Sequence, residues 1–182
     1  MKTKRVLLGV TASIAAYKAC DIAGSLRKAG YEVIPVLTKD ACHFVTPLSL
    51  QTIARSPVVL HDDFFSPSAK TMPGHVRLAD ECDLILIAPA TADVIAKLAC
   101  GIADDVLTCT VLSTKAPVLI APAMNDKMYL NPITQENIAR LKKHGFLFIP
   151  PIEGDLACGT RAIGHIADCD TIVKAVKGRL SK

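Results

Sequence analysis

The sequence predicts a three-layer α/β fold in which one parallel β-sheet lies between two layers of helices. Short aliphatic runs alternate along the chain with longer segments of helical spacing, an alternation typical of a parallel sheet. The composition is 51% hydrophobic but only 4% aromatic, which favours strands that are rich in aliphatic residues and buried on both faces. A length of 182 residues suits one domain, which we expect to cover residues 1–182.

The first half of the chain contains three predicted strands and three predicted helices. Strands are predicted at 5–10, 32–37 and 84–88, and helices at 14–29, 47–54 and 76–82. In the first helix, the spacing of Ile14, Ile22 and Leu26 predicts one buried face, and Gly30 marks the end of the helix. Residues 61–75 are polar and contain two prolines, so a long loop is expected there.

The second half continues the same alternation. Helices are predicted at 92–99, 105–113, 132–144 and 168–177, and strands at 118–121 and 146–149. Residues 150–165 are rich in glycine and proline, which predicts a second long loop. Long loops inside a compact α/β domain usually have a function.

Composition argues against several classes of function. The net charge is only +4, tryptophan is absent and no basic run occurs, so nucleic-acid binding is not expected. No apolar run approaches the length that crosses a bilayer, so a membrane protein is not expected. The basic N-terminus leads into a short apolar run that we interpret as a strand rather than a signal peptide, and we expect a cytoplasmic protein.

The seven cysteines form no CxxC pair, so neither a disulfide framework nor a metal site is expected. Four of them, Cys20, Cys82, Cys100 and Cys109, lie in apolar or helical contexts and are interpreted as small hydrophobic side chains. Cys158 lies in the second long loop and is considered separately.

Small and hydroxyl-bearing residues follow four of the predicted strands. They are Thr11 and Ser13, Thr38, residues 89–93 (PATAD) and residues 122–125 (PAMN). Because ligands of open α/β sheets bind beyond the carboxyl ends of the strands, these turns predict a ligand site. Ser13 has two interpretations, a phosphate ligand at a helix N-terminus and a simple helix cap. Neither a GxGxxG string nor a Walker loop is present, which argues against dinucleotides and nucleoside triphosphates.

Six sequence strings in a fixed order carry a family resemblance. They are residues 9–18 (GVTASIAAYK), 74–79 (GHVRLA), 88–93 (APATAD), 101–105 (GIADD), 122–128 (PAMNDKM) and 156–159 (LACG). Together they resemble the homo-oligomeric flavin-containing cysteine decarboxylases, and most closely the phosphopantothenoylcysteine decarboxylases of coenzyme A synthesis. The resemblance implies a Rossmann-like, flavodoxin-like fold and FMN bound between the subunits of a trimer-based homo-oligomer, often a dodecamer.

The resemblance also implies roles for individual residues. FMN would lie against the hydroxyl-rich and proline-containing turns: Thr11, Ser13, Thr38, Pro89, Ala90, Thr91 and Thr108. His75 would be the catalytic base and Asn125 would bind the substrate carboxylate, with Met124 and Ala157 beside it. Cys158 would donate the last proton, and its presence favours the coenzyme A branch, in which a small-molecule cysteine carboxylate is oxidatively decarboxylated to the saturated thiol.

The sequence departs from the family after Cys158. Thr160 replaces an acidic residue, and His165 and Ile166 replace an Arg-Met pair. Decarboxylation of another cysteine conjugate, or of the C-terminal cysteine of a peptide, is therefore an alternative. A prenyl-flavin synthase and a non-catalytic flavin-binding regulator of the same fold are further alternatives. The roles of Arg161, Arg77 and Lys97 are open at this point, as is whether reduced flavin completes the final reduction.

Overall fold

The computed structural model describes residues 3–61, 63, 74–155 and 159–181. Its central sheet is parallel, with the strand order β2-β1-β3-β4-β5. The strands are β1 (Arg5–Val10), β2 (Glu32–Leu37), β3 (Leu84–Ala90), β4 (Val118–Pro122) and β5 (Leu147–Phe148). This order is that of the flavodoxin-like folds, and it confirms the predicted fold class.

Helices cover both faces of the sheet. They are α1 (Lys18–Lys28), α2 (Pro47–Ala54), α3 (Gly74–Glu81), α4 (Ala92–Cys100), α5 (Val106–Ser113), α6 (Asp126–Leu130), α7 (Pro132–Lys143) and α8 (Cys169–Leu180). Successive strand residues point to opposite faces: Leu8 and Leu86 pack in a core with α1, α2 and α8, whereas Leu7 and Ile87 pack in a core with α3, α4, α5 and α7. All seven residues of β3 are buried, as expected for a strand covered on both faces.

The start of the first predicted helix differs from the prediction. Residues Ile14–Tyr17 form a 3₁₀ turn, and α1 begins only at Lys18. Because the 3₁₀ turn has three residues per turn, the buried face shifts: Ile22 and Leu26 are buried, whereas Ile14 is 61% exposed. The prediction that Ile14 belongs to the core was therefore wrong.

The second predicted loop contains a β-hairpin. Strands β6 (Ile152–Asp155) and β7 (Arg161–His165) pair antiparallel to form a separate two-stranded sheet. We call this element the hairpin. Residues 156–158 lie outside the described residues, as do 62 and 64–73 of the first predicted loop. The last two residues of that predicted loop, Gly74 and His75, instead begin α3.

The cysteine predictions are confirmed only in part. Burial raises the pKa of the Cys20, Cys82 and Cys109 thiols above the ordinary value, as expected for small hydrophobic side chains. Cys100 lies in α4, as the helical context predicted, but its side chain is exposed, so it does not act as a buried hydrophobic side chain. No helix among the described residues is long and apolar enough to cross a membrane.

Candidate functional site

A cavity of about 520 Å³ lies at the carboxyl ends of β1, β3 and β4. The turns that follow these three strands line it, together with the end of β7 and the start of α1. This is the edge of a parallel sheet at which ligands bind, and the volume falls within the range of small-molecule sites. Four residues predicted from the sequence line it together: Ser13, Thr91, Met124 and Asn125.

Ser13 connects the first turn to the turn after β4. Its Oγ accepts a hydrogen bond from the Ala15 amide at 3.3 Å and donates one to the Ala123 carbonyl at 3.3 Å. Ser13 thus caps the 3₁₀ turn and also lines the cavity. The cap interpretation is confirmed, and the hydroxyl stays at the cavity wall.

Thr11 and Pro89 connect β1 to β3. Thr11 is fully buried, and its Oγ1 donates to the Pro89 carbonyl at 2.8 Å and accepts from the Thr91 amide at 3.0 Å. Thr91 in turn caps α4 through the Val94 amide. Ala90 is fully buried at the end of β3. Of these turn residues only Thr91 lines the cavity; Thr11, Pro89 and Ala90 fix its position.

The turn after β4 carries Met124 and Asn125 to the cavity. The Asn125 Oδ1 accepts from the Lys127 amide at 2.9 Å and caps α6, a contact that orients the side-chain amide. The Met124 amide donates to the Gly164 carbonyl of β7 at 3.1 Å. The hairpin is thereby docked beside Asn125.

Thr38 and Thr108 do not line the cavity. Thr38 begins the short 3₁₀ helix Lys39–His43 after β2, and its amide donates to the Val10 carbonyl at 3.1 Å. Thr108 is fully buried, because its side chain and the Asp105 side chain form the capping box of α5. Its Oγ1 lies 2.9 Å from Asp105 Oδ1. Within one copy of the chain, both threonines are apart from the cavity.

Of the three predicted catalytic residues, the described structure places Asn125 at the cavity and His75 apart from it. His75 is half-buried in the first turn of α3, a helix that packs against α5, and it is not among the residues that line the cavity. Cys158 and Ala157 lie outside the described residues. Asn125 is thus the one predicted catalytic residue that the described structure places in the cavity.

The cavity also contains residues to which the sequence assigned no role there. Lys18, His165 and Ile166 line it, and the Lys18 Nζ lies 3.3 Å from the His165 Nε2. The two residues are 147 positions apart in sequence, so no local pattern could pair them. Apolar Tyr17 and Met128 lie at the same cavity and are about half exposed.

Lys97 forms ion pairs with two carboxylates. Its Nζ lies 3.0 Å from Asp104 and 3.4 Å from Asp93. The hydrogen bond with Asp104, together with the other charge contacts, raises the pKa of the Lys97 ammonium. Lys97 therefore stabilises the loop before α5, and Arg77 is exposed on α3.

Comparisons with known proteins agree with this geometry. The model of the Flavoprotein family matches residues 1–181. A protein of Streptococcus mutans named probable phosphopantothenoylcysteine decarboxylase is 44% identical over 98% of this chain and 99% of its own length. The bifunctional coenzyme A biosynthesis protein CoaBC of Vibrio vulnificus is 46% identical over 91% of this chain, which spans only 41% of that longer protein.

Solved structures give the same result for the fold. A mutant PPC decarboxylase complexed with pantothenoylaminoethenethiol superimposes with a TM-score of 0.90 at 32% identity, covering both chains completely. The FMN-binding protein AtHal3 superimposes with a TM-score of 0.86 at 33% identity over 100% of this chain and 99% of its own.

Proposed function

Because the chain belongs to the Flavoprotein family, we propose that it is an FMN-dependent decarboxylase that converts 4′-phosphopantothenoylcysteine to 4′-phosphopantetheine in coenzyme A biosynthesis. The observation that carries the proposal is the grouping of Ser13, Thr91, Met124 and Asn125 around one cavity at the carboxyl edge of the sheet. The S. mutans relative, which matches over nearly its whole length, supports the choice of substrate.

The residues of the cavity suit FMN. Ser13 and the start of the first helical turn offer a hydroxyl and amide groups suited to a phosphate, and Thr91 and the apolar Met124 line the same cavity. When bound, FMN supplies the hydride acceptor that lets the carbon bearing sulfur become an electron sink for loss of carbon dioxide. The protein supplies binding, orientation and proton transfer.

We assign those tasks to three side chains. His75 accepts the proton of the substrate thiol, a task suited to an imidazole near neutral pH. Asn125, oriented by the Lys127 amide, binds the substrate carboxylate. Cys158 donates the proton that completes the saturated thiol. A Cys158→Ser variant should retain FMN and release carbon dioxide but accumulate the unsaturated thiol; full turnover by this variant would remove Cys158 from the mechanism.

A second copy of the chain would complete the site. Ile14, Tyr17 and Met128 are 61%, 57% and 49% exposed beside the cavity, an apolar rim suited to an interface. Two of the predicted site residues that lie apart from the cavity, His75 and Thr108, are on the packed pair α3 and α5. We therefore infer a trimer-based homo-oligomer in which α3 and α5 of one subunit face the cavity of the next.

Complementation tests this arrangement. His75→Asn and Asn125→Asp variants should each be inactive alone. When the two are co-expressed, sites that combine the unchanged His75 of one subunit with the unchanged Asn125 of another should restore about one quarter of the activity. A mixture as inactive as its parents would show that both residues act from the same copy. Sedimentation of each preparation controls for assembly.

Decarboxylation of a different cysteine carboxylate is the second candidate, favoured by His165 and Ile166 at the cavity wall. The FMN-dependent cysteine decarboxylase SpaF superimposes with a TM-score of 0.79 at 32% identity. Phosphopantothenoylcysteine and a peptide ending in cysteine should be incubated separately with the protein, and the products identified by mass spectrometry. Saturated thiol from the first substrate alone supports the proposed function; turnover of the peptide alone supports the alternative.

A further inference from the structure

The two hydrogen-bond contacts of the His165 ring favour one tautomer of the histidine. The His165 Nδ1 lies 2.9 Å from the Ile166 carbonyl oxygen, and its Nε2 lies 3.3 Å from the Lys18 Nζ. A carbonyl oxygen can only accept a hydrogen bond, so Nδ1 carries the proton. An ammonium can only donate, so Nε2 offers its lone pair. Both contacts together favour the neutral tautomer of the imidazole, with the proton on Nδ1.

Because the His165 imidazole is neutral in this tautomer, it does not compensate the positive charge of the Lys18 ammonium. Lys18 is half-buried at the first position of α1 and lines the cavity. Among the described residues, no carboxylate lies within salt-bridge distance of it, although Asp155 lines the same cavity. A partly buried ammonium is stabilised by a counter-ion, so the cavity favours an anionic ligand at this position.

The backbone of the hairpin holds the His165 ring in place. A Cβ atom built at Gly154 would lie 2.9 Å from the His165 Cγ, so the ring rests against a position where only glycine leaves room. The preceding residue, Gly164, is bonded through its carbonyl to the Met124 amide. The imidazole therefore approaches Lys18 from a fixed direction.

We propose that His165 is a positioning residue that holds the Lys18 ammonium in the cavity, where the ammonium binds a phosphate ester. This inference rests on the proposed function, in which both FMN and the substrate carry such a group. A neutral imidazole orients the ammonium without cancelling its charge, which a carboxylate in the same place would do. Phosphate recognition by a lysine held as a point charge is common.

Three variants separate the parts of this arrangement. Lys18→Met removes the cation, and His165→Phe retains a ring of similar size but removes the acceptor. His165→Gln restores an acceptor at a position close to Nε2. We expect Lys18→Met and His165→Phe each to weaken phosphate-ester binding about tenfold, the double variant to be no worse than Lys18→Met, and His165→Gln to recover most of the loss.

Pairs of ligands with and without the phosphate identify its source. FMN is compared with riboflavin by equilibrium binding, and phosphopantothenoylcysteine with pantothenoylcysteine by KM. If the variants lose affinity for FMN but not for riboflavin, Lys18 and His165 bind the phosphate of the cofactor. If instead KM rises for the phosphorylated substrate alone, with kcat unchanged, they bind the phosphate of the substrate. The proposal would be overturned if the variants lost equal affinity for the ligands with and without the phosphate. It would also be overturned if the effects of Lys18→Met and His165→Phe were additive in the double variant.

Nitrogen NMR of the His165 ring gives a readout that needs no turnover. The proposal predicts a protonated Nδ1 and an unprotonated Nε2 in the wild-type protein, with the Nε2 resonance shifted by Lys18→Met. The opposite tautomer would contradict the contact. If no cysteine carboxylate is turned over, the proposed function fails. The NMR spectrum and the comparison of FMN with riboflavin test the role of His165 independently of turnover.

Discussion

Substitution of Gly164 by alanine tests how the hairpin is docked beside the cavity. Gly164 has φ +133°, and a Cβ atom there would lie 2.2 Å from the Met124 carbonyl oxygen and 3.4 Å from the Asp126 amide nitrogen. These contacts are backbone atoms, so no change of side-chain rotamer relieves them. The hairpin must move away from the turn after β4, with loss of the 3.1 Å hydrogen bond from the Met124 amide.

The expected magnitude follows from these two effects. A non-glycine residue in a disfavoured backbone region costs about 1–3 kcal/mol, and the hydrogen bond contributes about 0.5–1.5 kcal/mol. Undocking of the hairpin should therefore become easier by roughly 2–4 kcal/mol, or a factor of about 30 to 1000. Amide hydrogen exchange in Ile152–Asp155 and Arg161–His165 should accelerate, while exchange in β3 stays near the wild-type rate.

Gly159→Ala is the matched control. Gly159 also has a positive φ, +83°, but no heavy atom of the described residues lies within 4 Å of the Cβ position there. The Gly159→Ala variant should have backbone strain but no collision of the new Cβ atom. Amide hydrogen exchange in the hairpin should therefore accelerate less than in Gly164→Ala. Wild-type exchange rates in Gly164→Ala, or equal effects of the two substitutions, would refute the reasoning.

Two further predictions concern the scaffold. In the cap of α5, the Asp105 Oδ1 accepts a hydrogen bond from the Thr108 amide at 2.7 Å. Asp105→Ala removes this cap and should lower the free energy of unfolding by about 1–2 kcal/mol and Tm by roughly 3–7 °C. Asp105→Asn retains the acceptor and should melt close to the wild type, and an Asp105→Ala variant of unchanged Tm would contradict the cap. Because burial raises the pKa of Cys20, Cys82 and Cys109, a smaller fraction of these thiols is ionised than of an ordinary thiol at the same pH. Their lower thiolate fraction and lower accessibility should make them react with iodoacetamide more slowly than exposed Cys100. Peptide mass spectrometry over time measures the order, and faster labelling of Cys82 than of Cys100 would contradict it.

The sheet was readily predicted because its strands are separate aliphatic runs bounded by glycine, proline or polar residues. The strands at 5–10 and 32–37 were predicted with the observed bounds. The hairpin was missed because β6 and β7 are short, contain glycine and are mostly exposed or half-buried. Ile14 was misplaced because a 3₁₀ turn precedes α1, and sequence spacing does not distinguish a 3₁₀ turn from an α-helical one.

The site was predictable where residues directly follow strands. Ser13, Thr91 and Asn125 each lie just beyond a strand and each caps the next helical element, so one local pattern locates them at the carboxyl edge. The contact between Lys18 and His165 depends instead on the docking of the hairpin beside the turn after β4. Such a contact between distant segments leaves no periodic signal in the sequence.

The most direct test of the central claim is an anaerobic reaction of the purified protein with 4′-phosphopantothenoylcysteine, followed by flavin absorbance and by mass spectrometry. The account predicts a protein that contains FMN, whose absorbance falls as substrate is oxidised and returns as 4′-phosphopantetheine forms, with one carbon dioxide released for each thiol produced. A protein that binds no FMN, or flavin that stays oxidised while no carbon dioxide appears, would contradict it.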